Sequence, residues 1–135
     1  MQQLLQPGRV PLRSELIRPI AYGKDYIVAE IQTFIYVLRL TRTEMITEGP
    51  TPEELKTTHD HFNYLRDLRN QGTVLHAGRT TPVGDRTFGI VILKAESEAE
   101  ANQIANEDPA VKNKVMTAEL YPYRVALVGE GWKEA

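Results

Sequence analysis

The chain has no cysteine. Disulfides, thiolate metal sites and a cysteine nucleophile are therefore excluded, while the redox compartment is left open. It also lacks an excess of either charge: sixteen Lys and Arg are dispersed among eighteen Asp and Glu, for a net charge of −2. A nucleic-acid surface calls for a basic stripe, and without one no nucleic-acid partner is expected. No apolar run reaches the ~18 residues of a membrane span. The opening MQQLLQPGRVPLRSEL lacks the apolar core of a signal peptide. No membrane partner and a cytoplasmic location are the expectations. Missing too are a Gly-rich phosphate loop, a nucleotide motif and a G-x-S-x-G elbow. The three histidines, His59, His61 and His76, do not form a metal signature. No cofactor and no metal are expected.

What is present is the composition of an ordinary soluble domain, 41% hydrophobic and 25% charged over 135 residues, long enough to bury a core without staples. Residues 1–30 read as an extension, broken by Pro7, Gly8, Pro11, Pro19 and Gly23 but carrying Leu16, Ile17, Ile20 and Ile27. This is the pattern of an arm lying on the domain or on a partner subunit, with a disordered tail as the alternative. The domain proper is expected over residues 31–130, with a short tail over 131–135.

Within the domain, TFIYVLRLT (Thr33–Thr41) is a strand rich in β-branched and aromatic residues. Phe34, Tyr36, Leu38 and Leu40 face one way, Ile35, Val37 and Arg39 the other. A helix follows over about 52–71: Thr51 is its N-cap, Pro52 suits the first position, Glu53 and Glu54 favour the positive end, and Gly72 is a left-handed stop. Its first turns are alternatively a separate short segment. Strands are expected at Thr73–Ala77 and Thr87–Ala95, separated by the polar loop GRTTPVGDR. In SEAE, Ser97 caps a second helix running to about Glu107 in a capping-box pattern, and Asp108-Pro109 ends it. The last strand region is Met116–Val128, where Pro122 implies an edge position or a bend.

The order β-α-β-β-α-β is that of the α+β, ferredoxin-like split β-α-β arrangement, an antiparallel sheet with two helices on one face. The first and third strands are nevertheless apolar on both faces. A second copy of the chain covering the free face resolves this, giving a homodimer, a dimeric α/β barrel. The N-terminal arm is the alternative cover.

At 3.6 residues per turn, Leu55, Phe62, Leu65 and Leu68 form one stripe of the first helix and His61 falls within it. His59 falls roughly 110° from the stripe centre. Residues two apart do not face each other, so His59 and His61 do not chelate one metal. An inward imidazole is suited to acid–base work near neutral pH, although buried histidines are more often merely satisfied by a carbonyl. Arg42 and Arg79 are candidates for binding an anionic substrate, as is Arg39, and Asp85 is a candidate carboxylate in a turn before a strand.

Three segments, HFNYLRDLRNQGTVLHAG, RTFGIVILKAESEAEA and NEDPAVKNKVMTAELYPYRV, resemble the YCII-related domain family in order and spacing over about residues 33–128. The resemblance implies the ferredoxin-like dimeric α/β barrel and an enzyme with a characteristic histidine and aspartate, which fall on His61 and Asp108. A few relatives act on chlorinated or aromatic ring-cleavage intermediates. The connection TRTEMITEGPTPEELKTTHD is longer than in the shortest members and is placed to remodel a pocket mouth. Helix geometry does not by itself supply the pair. His61 lies about 15 Å before the end of its helix, and a parallel second helix would set Asp108 level with that end. Pairing of His61 with Asp108 rests on the resemblance.

The functional expectation is a small, cofactor-independent enzyme of lyase, isomerase or hydrolase type. His61 and Asp108 would do acid–base chemistry on a small organic acid. The alternative is a non-catalytic module that binds a small-molecule ligand, and a purely structural dimer module is a third reading.

Overall fold

A computed structural model describes residues 31–134; the arm expected over residues 1–30 lies outside the described residues. The elements are β1 (Gln32–Leu40), a one-turn α1 (Glu44–Thr47), α2 (Pro52–Asn70), β2 (Val74–Arg79), β3 (Gly89–Ala95), α3 (Glu98–Glu107), a one-turn α4 (Pro109–Lys112), β4 (Met116–Tyr123) and a 3₁₀ turn (Glu130–Glu134). The strands form one antiparallel sheet in the order β2-β3-β1-β4, as a ferredoxin-like split β-α-β fold requires.

Alternation in β1 buries Phe34, Tyr36 and Leu38 under the helices, where they meet Val91, Leu93 and Ala95 of β3, Leu65 of α2, and Ala101 and Ala105 of α3. The two alanines bring only methyl groups from α3 to this core, with Ile104 packed beside them. The expected stop and start signals operate. Thr51 accepts the Glu54 N–H while the Glu54 carboxylate accepts the Thr51 N–H, a complete capping box. Gly72 takes φ +84°, and Thr73 N–H reaches the Leu68 carbonyl at 2.9 Å. Pro122 sits on β4, an edge strand, where its missing N–H breaks no ladder.

Several boundaries differ from expectation. β2 begins one residue later and runs on to Arg79, which pairs with Gly89, and a bulge at Leu75 shifts its pairing from Val74↔Leu93 to His76↔Ile92. β3 begins at Gly89, since Thr87 and Phe88 are held by loop bonds to Gly84 and Thr80. β4 ends at Tyr123, where its partner β1 begins. At α3 the capping box is incomplete: Ser97 accepts the Glu100 N–H, but the Glu100 carboxylate turns to the Glu96 N–H.

The inward stripe of α2 is also displaced. Leu55 and Phe62, expected inward, are 61% and 62% exposed. The face that meets the domain carries Thr57, His61, Tyr64, Leu65 and Leu68, and on the helical wheel Leu55 and Phe62 lie roughly 120° around from its centre. His61 sits nearer the middle of the true inward face than of the expected one.

Candidate active site

Asp108 ends α3 and begins α4. Its φ/ψ of −59°/125° leaves the helical region ahead of Pro109, and its side chain caps the new turn by accepting the Ala110 N–H at 3.0 Å. That turn folds α4 back against α2, where Asn113 donates to Thr57 at 3.3 Å. Asp108 therefore stands opposite the middle of α2, not level with its end. His61 Nδ1 lies 2.7 Å from Asp108 Oδ1. The Tyr36 hydroxyl, rising from the sheet, donates to Asp108 Oδ2 at 2.7 Å. Tyr36 and Asp108 are fully buried, while the His61 side chain retains 14% of its exposure.

Each contact delivers a hydrogen to the carboxylate, which fixes the chemistry of the ring. With the proton on Nδ1 directed at Asp108, the opposite nitrogen, Nε2, carries the lone pair. Once Nε2 takes up a proton, the same carboxylate stabilises the imidazolium. Burial, then the adjacent Asp108 charge and the hydrogen bond to it, hold the Tyr36 hydroxyl well above its ordinary value of 10.0, so it remains a donor. Tyr64, whose hydroxyl donates to the Ile104 carbonyl at 2.7 Å, is pushed up to about 12 by burial and by the charges of Asp108 and Glu107.

His61 lines a cavity of about 550 Å³ between α2 and the ends of β1, β2 and β3. Met45 and Ile46 of α1 belong to its wall, so the long connection after β1 does shape the mouth. Phe62, exposed on α2, stands at this cavity and at a shallower one beside Leu55. Among the described residues the lining is mostly apolar, and its charged members are Arg66 and Arg69 of α2 and Arg79 of β2.

The structure thus brings His61 and Asp108 together and places Arg79 in the same cavity. Arg42 lies elsewhere: it grips Glu54 with two bonds of 2.8 Å, tying the approach to α1 to the start of α2. Asp85 is exposed in the β2–β3 loop and does not line the cavity. Arg39 lies over the Phe88 ring at 5.3 Å. His59 is exposed, and His76 packs against Trp132 with ring centroids 4.5 Å apart. Sequence reasoning overlooked Tyr36, Arg66 and Arg69. The signal for Tyr36 was its hydroxyl on the buried face of β1, since a buried tyrosine O–H needs an acceptor.

A family model of the YCII-related domain matches residues 36–124. The chain belongs to the YCII-related domain family. The match spans every element from the middle of β1 through β4, and so includes Tyr36, His61 and Asp108. No curated protein matches the chain. Among solved structures it is similar to the 5-chloro-2-hydroxyhydroquinone dehydrochlorinase of Burkholderia phenoliruptrix AC1100 in complex with 2,5-dihydroxybenzoquinone. The identity is 19% and the TM-score 0.51, over 69% of this chain and 95% of that one. At that identity the likeness concerns the fold.

Proposed function

We propose that this YCII-related protein is a small-molecule enzyme in which His61 Nε2 moves a proton to or from a substrate held in the cavity. The observation that carries the reading is the imidazole itself, fixed through Nδ1 to a buried carboxylate while its ring lines the cavity. Asp108 and, through it, Tyr36 are positioning residues. They hold the tautomer and balance the charge that appears on the ring.

Elimination is the reaction class that fits best. His61 takes a proton from an acidic O–H or C–H of the substrate. The electron pair left behind forms the new double bond, and the leaving group departs with its own pair. The imidazolium then returns its proton to water. The structural neighbour's activity as a dehydrochlorinase supports this class. Isomerisation uses the same proton transfer, with return to a different atom. Hydrolysis needs an activated water in addition.

The test is chloride release from 5-chloro-2-hydroxyhydroquinone and a panel of chlorinated hydroquinones and 2-chloro carboxylic acids. The wild-type protein is expected to turn over at least one member. His61→Gln should lower that rate about 100-fold or more, the usual share of general acid–base catalysis, with an unchanged circular dichroism spectrum. Turnover that survives His61→Gln sinks the reading. Binding without turnover in both proteins makes the cavity a ligand-binding module instead.

A further inference from the structure

We propose that the cavity selects an organic anion with a flat apolar body, and that Arg79 is the group that takes its negative charge. The inference deepens the proton-transfer reading by naming the substrate class of the same cavity.

The placement of Arg79 follows from strand register. Arg79 pairs with Gly89, which lies on the same face of β3 as the buried Val91 and Leu93. The Arg79 side chain therefore leaves β2 on the helix side of the sheet, the side from which His61 enters the cavity. Its strand partner contributes no side chain. A Cβ built on Gly89 would stand 3.3 Å from the Gly78 carbonyl oxygen, 3.8 Å from Arg79 Cβ and 3.9 Å from Leu38 Cβ. The bare backbone there leaves a flat floor between Arg79 and Leu38. A planar group fits against such a floor, where any larger residue would project into it.

The charge pattern points the same way. Arg66, Arg69 and Arg79 all line the cavity, and among the described residues that line it none is Asp or Glu. Among the described residues the ion pairs are Arg42–Glu54, Lys56–Asp60 and His61–Asp108, so no described carboxylate neutralises these three guanidinium groups. Arg69 turns its Nε and Nη2 to the neutral Asn70 amide oxygen, and Arg79 uses Nη1 on the Thr80 carbonyl. A guanidinium has five N–H donors in a planar fork, so Arg79 keeps donors for a carboxylate or phenolate. The remaining wall, with Leu38, Phe62, Val83 and Phe88, suits an apolar body. A net-positive, mostly apolar cavity favours an anion over a neutral molecule of the same shape, and disfavours a cation.

The experiment compares 2-naphthoate with its neutral isostere 2-naphthamide by NMR titration of the ¹⁵N-labelled full chain. The wild-type protein should bind the anion about tenfold tighter, the worth of a charged hydrogen bond, and Arg79→Gln should erase that preference while leaving 2-naphthamide affinity unchanged. Equal wild-type affinities, a loss shared by both probes in Arg79→Gln, or no binding of either probe overturns the proposal. Should Arg79→Gln fail to fold, Arg79→Met takes its place, with the same loss of preference expected and a retained preference overturning the proposal. The two readings fail separately. An anion preference alongside turnover that survives His61→Gln leaves this proposal standing and removes the acid–base one. Turnover lost in His61→Gln with no anion preference does the reverse.

Discussion

Asp108 receives three hydrogens, from His61, Tyr36 and its own helix turn, in a place without solvent. Each donor offsets part of the cost of burying a carboxylate. Tyr36→Phe removes the donor to Oδ2 and nothing else of comparable volume. The variant should lose about 1–3 kcal/mol, the penalty for a buried polar atom left unpaired, read from urea denaturation at neutral pH. A second readout separates this from mere repacking. The Tyr36 hydroxyl titrates higher in the folded protein than its ordinary 10.0. Its contribution to stability is therefore complete below pH about 10 and is lost as pH rises toward the folded value. Tyr64, pushed up to about 12, acts in the same sense. Wild-type stability should fall above pH 10, and in Tyr36→Phe that alkaline fall should be shallower. An equal fall in both proteins would mean that the hydroxyl does not serve Asp108.

At the scale of elements, the junction between α1 and α2 decides how the cavity mouth is held. Glu54 closes the capping box of α2 and also receives both arms of the Arg42 fork. Those bonds, with Arg42 first and the Thr51 N–H next, hold its carboxyl down at about 2, against an ordinary value of 4.5. The folded value is depressed, so the stabilisation is present above pH 4.5 and disappears as pH falls toward 2. Glu54→Gln should melt at a lower temperature than wild type at pH 7, and the gap should narrow between pH 4.5 and 2. A gap that stays constant over that window would show that the ion pair contributes nothing measurable.

This junction also shows what could be read in the sequence and what could not. Thr51, Pro52, Glu54 and Gly72 announce α2 because caps are local, satisfied within a few residues. Pro122 announces the edge strand for a similarly local reason. Arg42 looked like a substrate ligand because its partner, twelve residues on, is reached only once α1 and α2 have folded. Leu55 and Phe62 looked like core because an apolar stripe does not tell a packed face from the wall of a cavity. His61 pointed inward on any reading of the wheel. Its meeting with Asp108 depends on how the one-turn α4 folds back on α2, which no helix period specifies.

For the whole molecule, the second face of the sheet decides how the protein assembles. α2 and α3 cover the face that carries Phe34, Tyr36 and Leu38. On the other face the register aligns Ile35 with Ile92 and Tyr121, and Val37 with Ile90 and Glu119, an apolar strip on β1 and β3 that reaches β4 at Tyr121 and is flanked there by Glu119. Trp132 packs on His76 at the β2 end of that face. A strip of this kind on a sheet is ordinarily an interface, and self-complementary burial in a two-fold dimer would cover it on both copies at once. We therefore expect a homodimer through the sheet faces. Sedimentation velocity at micromolar concentration should give twice the 15.3 kDa chain mass, and Ile35→Glu combined with Ile92→Glu should give the monomer, by placing charges where two sheets would meet. A wild-type monomer rejects the dimer and turns attention to residues 1–30 as the cover. In that case deleting them should expose the strip and provoke association, where a true dimer would keep its mass per protomer pair.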